Sequence, residues 1–540
     1  MTFAPIFSLM ALCVGFIALP LVAWVRFLRP YARFLVPVAV GFSLLGVVAT
    51  RFAPSWSMIF SRWHPSVFFN AVMLLEDSPV TWPLLLAFSV AMMSSALIQL
   101  GRLAPSHILV GLATLGMMAA VLGSLWGSNL LVVLMCWGSF DLFWSLGMLA
   151  VGASTRRVAL AGGVFVLSTT ALLTGALVTR TVGGSISWAL IQPGELERNL
   201  LVVAAVLRLA FYPLHLTVPV GVSKSAPAAM PLYLGPVLGW GLLLRLVVSA
   251  GVSLDDLAWV QSIGMASLIA GGLLAWTRAA RSEVLPWIAL ASSGATLWAS
   301  AVAGERAALV LAGGSVAWLL GMTLVSLARG WERAAPWWSI GPVVGGLALI
   351  GSLLTPGVLV GLTVAGRVVE PFDLRQAFLF FLGESLLVAG TARRVLVPIE
   401  RQERGTPLAI AARAAGLALP TVLLLWFGLY PAALSPAFAD ISLGHVLEQT
   451  LPAGWAVWLL GFALGVPLFL LEGRLRKRIE PGLGLLFDLV ALDWVLYTLL
   501  GGLGRVADFL REVAELVEGA GAVLWAFAIF LLLALAFLGI

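Results

Sequence analysis

Long apolar runs separated by short polar breaks follow one another along almost the whole chain. A run of about 18 or more apolar residues is long enough to cross a bilayer as a helix. The pattern predicts spans at 3–25, 33–50, 80–101, 107–125, 129–151, 157–179, 199–213, 227–249, 256–277, 284–303, 306–328, 338–365, 374–392, 408–430, 452–472 and 519–540. The fold class is therefore an all-α polytopic membrane protein of about 16 transmembrane helices, embedded in a lipid bilayer. One stretch breaks the pattern. From Gly484 to Glu518 apolar and charged residues alternate at helical spacing, with Asp508, Arg511, Glu512 and Glu515 on one face opposite Val506, Phe509, Leu510, Val513 and Leu516. That arrangement suits a helix lying on the membrane surface or against a partner, or an amphipathic linker before the last span.

Composition agrees with this reading. Hydrophobic residues make up 61% of the 540 and charged residues only 10%, too little polar surface for a soluble chain of this length. Cys13 and Cys136 both fall in apolar spans, which excludes a disulfide framework or an iron–sulfur ligand set. His64, His107, His215 and His445 are scattered and show no metal-ligand spacing. Neither a cofactor nor a metal is expected. The first residues, MTFAPIFSLMALCVGF, lack a basic leader or cleavage site, so they read as a retained helix.

The net charge of +6 comes almost wholly from arginines, and their placement decides between nucleic acid and membrane. One set of alternating loops holds Arg26, Arg29, Arg33, Arg102, Arg156, Arg157, Lys224, Arg278, Arg281, Arg329, Arg333, Arg393, Arg394, Arg401, Arg404, Arg474, Arg476, Lys477 and Arg478. The other holds Arg51, Arg62, Arg180, Arg198, Arg306, Arg367 and Arg375. That is 19 against 7. The positive-inside rule puts the first set in the cytoplasm and the N-terminus outside, as expected for a multi-pass protein of a prokaryotic cytoplasmic membrane. Nucleic acid is not an expected partner.

The segment from Leu207 to Arg245 carries the chemistry. Arg208 sits in an apolar helix that Pro213 and Pro219 interrupt; a loop with Lys224 follows, and a second apolar helix opens near Pro227. A charge inside hydrocarbon is costly and marks a functional site, and broken backbone at membrane depth occurs only within protein or beside a wet cavity. The combination points to an ion path or what remains of one.

These residues resemble the antiporter-like membrane subunits of respiratory complex I, membrane-bound hydrogenases and multisubunit cation/proton antiporters. In that family a helix lysine precedes a proline by five residues, with a second proline and an Ala-Pro further on. Arg208, Pro213, Pro219 and Ala226–Pro227 stand in those positions, and Gly241–Arg245 is similar to the family's close of the next helix. Asn129–Leu130–Leu131 leading to Trp137 looks like the family's fifth helix, with Gly138 where the family has glutamate. The run 346–361 resembles its broken twelfth helix, with the break at Pro356–Gly357. Residues 491–497, the amphipathic run and the last span look like the tail of the L-type subunits.

The resemblance implies two inverted five-helix repeats, each with a discontinuous helix. The divisions are N-terminal helices (1–101), first repeat (102–250), second repeat (251–395), further helices (396–483), an amphipathic lateral helix (484–518) and a terminal span (519–540). It further implies a subunit of a redox-coupled assembly with other membrane subunits as partners, contributing to proton or cation translocation without being catalytic alone.

The sequence departs from the family at the proton-carrying positions. Arginine replaces the seventh-helix lysine and does not release its proton. Residues 308–327 of the eleventh span include no ionisable residue where the family usually places histidine or lysine, and only two lysines exist, Lys224 and Lys477. Asp141 lies three residues after Gly138, on the same helix face, and is expected to pair with Arg208, either as a gate or fixed charge or as a structural lock. Glu384, deep in span 374–392, is either a proton-carrying site or a hydrogen-bonded acid. His215 and Lys224 either feed protons or are simply solvated, with solvation favoured. Arg245 is expected to snorkel to the surface. The alternatives to translocation are a non-conducting scaffold paralogue and the membrane partner of an inorganic-carbon uptake system.

Overall fold

The computed structural model describes residues 4–515 except 53–54, 62–71, 101–107, 182–185, 210, 220–228, 279, 281–282, 328–330, 334, 370–372, 400–405, most of 435–451 and scattered positions beyond 492. Lys224 and the expected terminal span 519–540 lie outside the described residues.

The helices are α1 (Ala4–Trp24), α2 (Ala32–Thr50), α3 (Trp82–Leu100), α4 (Ile108–Trp126), α5 (Leu130–Ala150), α6 (Thr155–Thr181), α7 (Glu195–Arg208), α8 (Val237–Val248), α9 (Ala258–Thr277), α10 (Leu285–Val302), α11 (Ala307–Leu327), α12 (Ile340–Leu349), α13 (Val358–Val369), α14 (Leu374–Leu396), α15 (Pro407–Leu429) and α16 (Pro452–Ala491). Among the described residues twelve helical stretches are long and apolar enough to cross a membrane. The other expected spans correspond to α7, to the α12–α13 pair and to α14. The protein is an integral membrane protein of all-α class.

Local chemistry sets the ends of these helices. Asn129 caps α5 by accepting the Val132 N–H at 3.1 Å, while its own amide donates to the Val72 carbonyl at 2.9 Å. Asp373 caps α14 through the N–H groups of Arg375 and Gln376. Thr406 caps α15 with Pro407 at its first position. Helix α7 opens with Glu195 and Glu197 and ends at Arg208, signs that complement the helix dipole. It cannot continue, because Pro213 lacks an N–H and its ring excludes the helical partner carbonyl.

The span 338–365 is interrupted, as its resemblance to a broken helix implied: α12 and α13 are separate because residues 350–357 leave helical geometry, with Gly351 and Leu354 both at positive φ, 70° and 66°. Two features differ from the sequence expectation. A short antiparallel ribbon, Ser57–Ser61 with Met73–Glu76, stands between α2 and α3. Helix α16 runs on past the expected end of its span at 472 to Ala491, and beyond it Arg511 and Glu515 form an exposed i,i+4 pair at 2.8 Å.

The core is built by helix pairing. α4 packs on α5 and α6 on α7; in the same order α9 packs on α10 and α11 on α12. At the α9–α10 seam, small residues let the backbones nearly touch. A Cβ on Gly294 would lie 2.6 Å from the Gly264 carbonyl oxygen and 2.6 Å from the Leu268 nitrogen. Nothing flexible is there to yield.

Gly294→Ala should therefore lower the thermal unfolding midpoint of the detergent-solubilised protein, at a cost of about 1–3 kcal/mol for overpacking. Gly162→Ala, whose Cβ meets nothing within 4 Å, should leave the midpoint unchanged. Equal effects of the two substitutions would contradict close backbone contact at the seam.

Candidate functional site

The end of α7 brings Arg208 to the centre of the first half. Its side chain is fully buried, and Asp141 of α5 meets it in a two-pronged ion pair. Nη1 donates to Oδ1, and Nη2 donates to Oδ2 at 2.9 Å. Two α6 hydroxyls complete the polar shell: Nε donates to Ser168 Oγ at 3.2 Å and Nη2 to Thr169 Oγ1 at 2.8 Å. The Trp137 and Phe165 rings lie 4.5 and 4.7 Å from the guanidinium carbon, within cation–π range. Planar geometry, five fixed donors and weak hydration make arginine the cation suited to such a cage. The expected pairing of Asp141 with Arg208 is what the structure contains.

The neighbourhood of Asp141 is open on one side. Its side chain keeps 21% exposure. Gly138, one turn earlier, is exposed, and a Cβ there would meet nothing within 4 Å. The carboxylate that balances Arg208 thus lies between the buried cage and the outer face of α5.

Past Arg208 the backbone unwinds, and the groups it frees find partners on the second half. Ser293 of α10 donates to the Leu209 carbonyl at 3.1 Å, and Ser267 of α9 accepts the Tyr212 N–H at 2.9 Å. Pro213 and Pro219 bracket a 3₁₀ turn, His215–Thr217. His215, for which the sequence favours solvation, is buried instead. It is 3% exposed, its Nδ1 lies 3.0 Å from the Pro213 carbonyl and its ring stands 5.0 Å from Trp287. The apolar wall of α10 covers a turn that looks like a loop in the sequence.

Arg245 does not snorkel either. It is 6% exposed, donates to the Leu125 carbonyl at 3.0 Å and pairs with Glu76 at 3.4 Å, with the Trp188 ring 5.7 Å away. Trp126 and Trp188 beside it are buried as well, at 1% and 2%. The ribbon before α3 covers this end of the bundle: its strand β2, Met73–Glu76, bridges to Gly127.

The second interruption, at Pro356–Gly357, has its own buried ionisable side chain. Glu384 of α14 is 3% exposed and lines a cavity of about 20 Å³ with residues of the break. The break is tightly built: a Cβ on Gly357 would lie 2.2 Å from the Ala348 carbonyl oxygen. Further along α13, Leu362, Thr363, Gly366 and Arg367 border a vestibule of about 820 Å³ shared with Asp255, Glu305 and Arg306.

Four cage residues were missed in the sequence: Phe165, Ser168, Thr169 and, as a ring partner, Trp137. Arg413 was missed too; it pairs with Glu332 and lies under Trp338, 4.7 Å from the ring centre. Among the described residues no cluster could hold a metal ion.

The comparisons are to solved structures. No family model matches the chain, and the curated proteins give no match. The fold is similar to a chain of the Mrp complex from Dietzia sp., with 18% identity, TM-score 0.76, and coverage of 100% of this chain and 62% of that one. It is also similar to a chain of the membrane-bound sulfane sulfur reductase, an archaeal respiratory membrane complex, at 14% identity and TM-score 0.70, covering 98% and 99%. A chain of respiratory complex I from Thermus thermophilus shares 17% identity, TM-score 0.56, with 79% and 97% covered. The chain spans about 62% of the length of the Mrp chain it matches. The likeness is one of fold, and it is the fold that the motifs around Trp137, Arg208 and Pro356 imply.

Removing one partner of a buried ion pair strands the other charge. Asp141→Ala should cost about 3–5 kcal/mol, read as a drop in the chemical or thermal unfolding midpoint. The double variant Asp141→Leu with Arg208→Met should recover most of that loss. A double variant no more stable than Asp141→Ala would show that the pair is not the source of the cost.

Proposed function

We propose that the chain is an antiporter-like membrane subunit of a complex I-related assembly and contributes to proton or cation translocation driven by redox chemistry in partner subunits. The observation that carries this reading is the recurrence of one arrangement. In each half a membrane helix is interrupted, and a buried ionisable side chain stands at the interruption: Arg208 at the end of α7, and Glu384 beside the α12–α13 break. Interrupted helices at membrane depth supply free backbone groups and hydration where an ion must pass. The two halves are read as inverted repeats, and the arginine-rich loops as cytoplasmic.

Within this reading Asp141 and Arg208 act as a fixed charge pair. A guanidinium keeps its proton throughout, and four hydrogen bonds hold it in place. The pair sets the electrostatic profile along which a mobile charge travels elsewhere. Asp141, with its partial exposure on the outer face of α5, is the member positioned to act on a neighbouring subunit.

The same caging favours a second reading, a scaffold paralogue that keeps the fold without conducting. α11 adds to it, since Ala307–Leu327 contains no ionisable residue. The partner of an inorganic-carbon uptake system remains the third class, which a peripheral partner protein without redox centres would identify.

The test is to reconstitute the assembly, purified with its partner subunits, into liposomes and follow the internal pH with an entrapped dye. Asp141→Asn and Arg208→Ala should each slow gradient formation by about tenfold, a change of ~1.4 kcal/mol in barrier. Arg208→Lys should slow it less, because the charge survives. Gradient formation at the wild-type rate in all three would leave the scaffold reading in its place.

A further inference from the structure

Glu384 is a buried carboxyl with no counter-charge. It sits at the middle of α14 and its Oε1 has no hydrogen-bond partner among the described residues. The helices packed against α14 carry no ionisable residue at its depth. α9, α10, α11 and α12 have none at all, and α13 has only Arg367, in its last turn. From α16, residues 452–471 likewise have none, although Gly461 presses against the Glu384 side chain, where a Cβ would lie 3.0 Å from Cγ. On α14 itself Arg375 and Arg393 lie nine residues either side of Glu384, about 14 Å along the axis.

The cavity beside it supplies mainly acceptors. Ser292 and Thr296 of α10 already donate their hydroxyl protons to the Ile288 and Ser292 carbonyls. The Trp318 indole N–H is used on the Ala289 carbonyl at 3.0 Å. At the break the N–H groups of Ile350 and Gly351 are bonded to Gly346 and Ala348. One unpartnered side-chain donor, the Trp458 indole N–H, lies against Gly361 of the same wall, and it is neutral. Such surroundings favour a group that donates, and among the described residues they hold no formal charge to balance an anion. An uncompensated carboxylate at this depth costs several kcal/mol, so Glu384 rests there with its charge cancelled. A cavity of about 20 Å³ has room for one water and not for a hydrated metal cation.

We propose that Glu384 is a proton-loading site in the second half of the chain, and that one water in this cavity links its carboxyl to the interrupted backbone at 350–357. The proposal rests on the translocation reading above. In the unloading step the O–H bond of the acid breaks and the proton passes to the cavity water. The carboxylate left behind is short-lived for want of a counter-charge, and it is neutralised when a proton returns to the same oxygen. The interruption matters because an unbroken helix from 340 to 369 would close the cavity with side chains and leave no carbonyls turned toward the water.

The test is infrared difference spectroscopy on the whole assembly in lipid, alongside proton uptake in liposomes. The wild type should show a protonated-carboxyl band that shifts in heavy water and is lost in Glu384→Gln, with uptake slowed at least about tenfold. Ala317→Val, which fills the cavity and leaves the acid in place, should keep the band and still slow uptake. Retention of every carboxyl band in Glu384→Gln, or wild-type uptake by that variant in an assembly of unchanged elution volume, would overturn the proposal. A band that vanishes when sodium replaces choline would assign the site to an alkali cation instead. A wild-type assembly that moves no protons would fail at the translocation reading, a result distinct from failure at Glu384 alone.

Discussion

A guanidinium that cannot lose its proton, buried where water cannot reach it, has to be neutralised by its surroundings, and much of the first half of the chain is arranged to do so. Asp141 supplies the charge, Ser168 and Thr169 the remaining hydrogen bonds, and Trp137 and Phe165 the ring faces. Three helices, α5, α6 and α7, are tied at one point. A buried ion pair seldom adds net stability over an apolar contact of the same shape, but breaking it is expensive. Its presence at the point where α7 stops is therefore better explained by a need for charge there than by stability.

The interruptions follow different local chemistry. Proline ends α7, and serines from α9 and α10 satisfy the freed backbone. Between α12 and α13 the chain turns on Gly351 and Leu354 at positive φ, with Gly357 and Gly428 allowing backbones to approach; a Cβ on Gly428 would lie 2.2 Å from the Leu354 carbonyl oxygen. A leucine held there costs of order 1 kcal/mol or more. The first interruption is filled by protein groups, whereas the second leaves a small cavity against an acid. Under the proposed function, the first half would hold fixed charge and the second would handle the mobile one.

The span pattern was legible because each helix needs its own apolar length, so all-α membrane architecture followed from hydropathy alone. The Asp141–Arg208 pair was legible because a glutamate slot filled by glycine, with an acid three residues on, leaves one compensating partner on that face. Other contacts were not. Arg245 pairs with Glu76, 169 positions away, and a lone arginine at a helix end has the same local sequence whether it snorkels or is buried. His215 reads as a loop residue until α10 is placed over it. Arg413 and Glu332 are 81 positions apart and belong to segments with no shared periodicity. The cavity at Glu384 is a property of five helices together, so no single window of sequence contains it.

The most direct test of the central claim is a cryo-electron microscopy map of the whole assembly in a lipid nanodisc, recorded at mildly acidic and at mildly alkaline pH. The account predicts Arg208 in contact with Asp141, Ser168 and Thr169 in both maps, with the Trp137 ring still against the guanidinium. An Arg208 side chain that swings away from Asp141 at either pH, or that faces bulk water, would contradict a fixed charge at the end of α7.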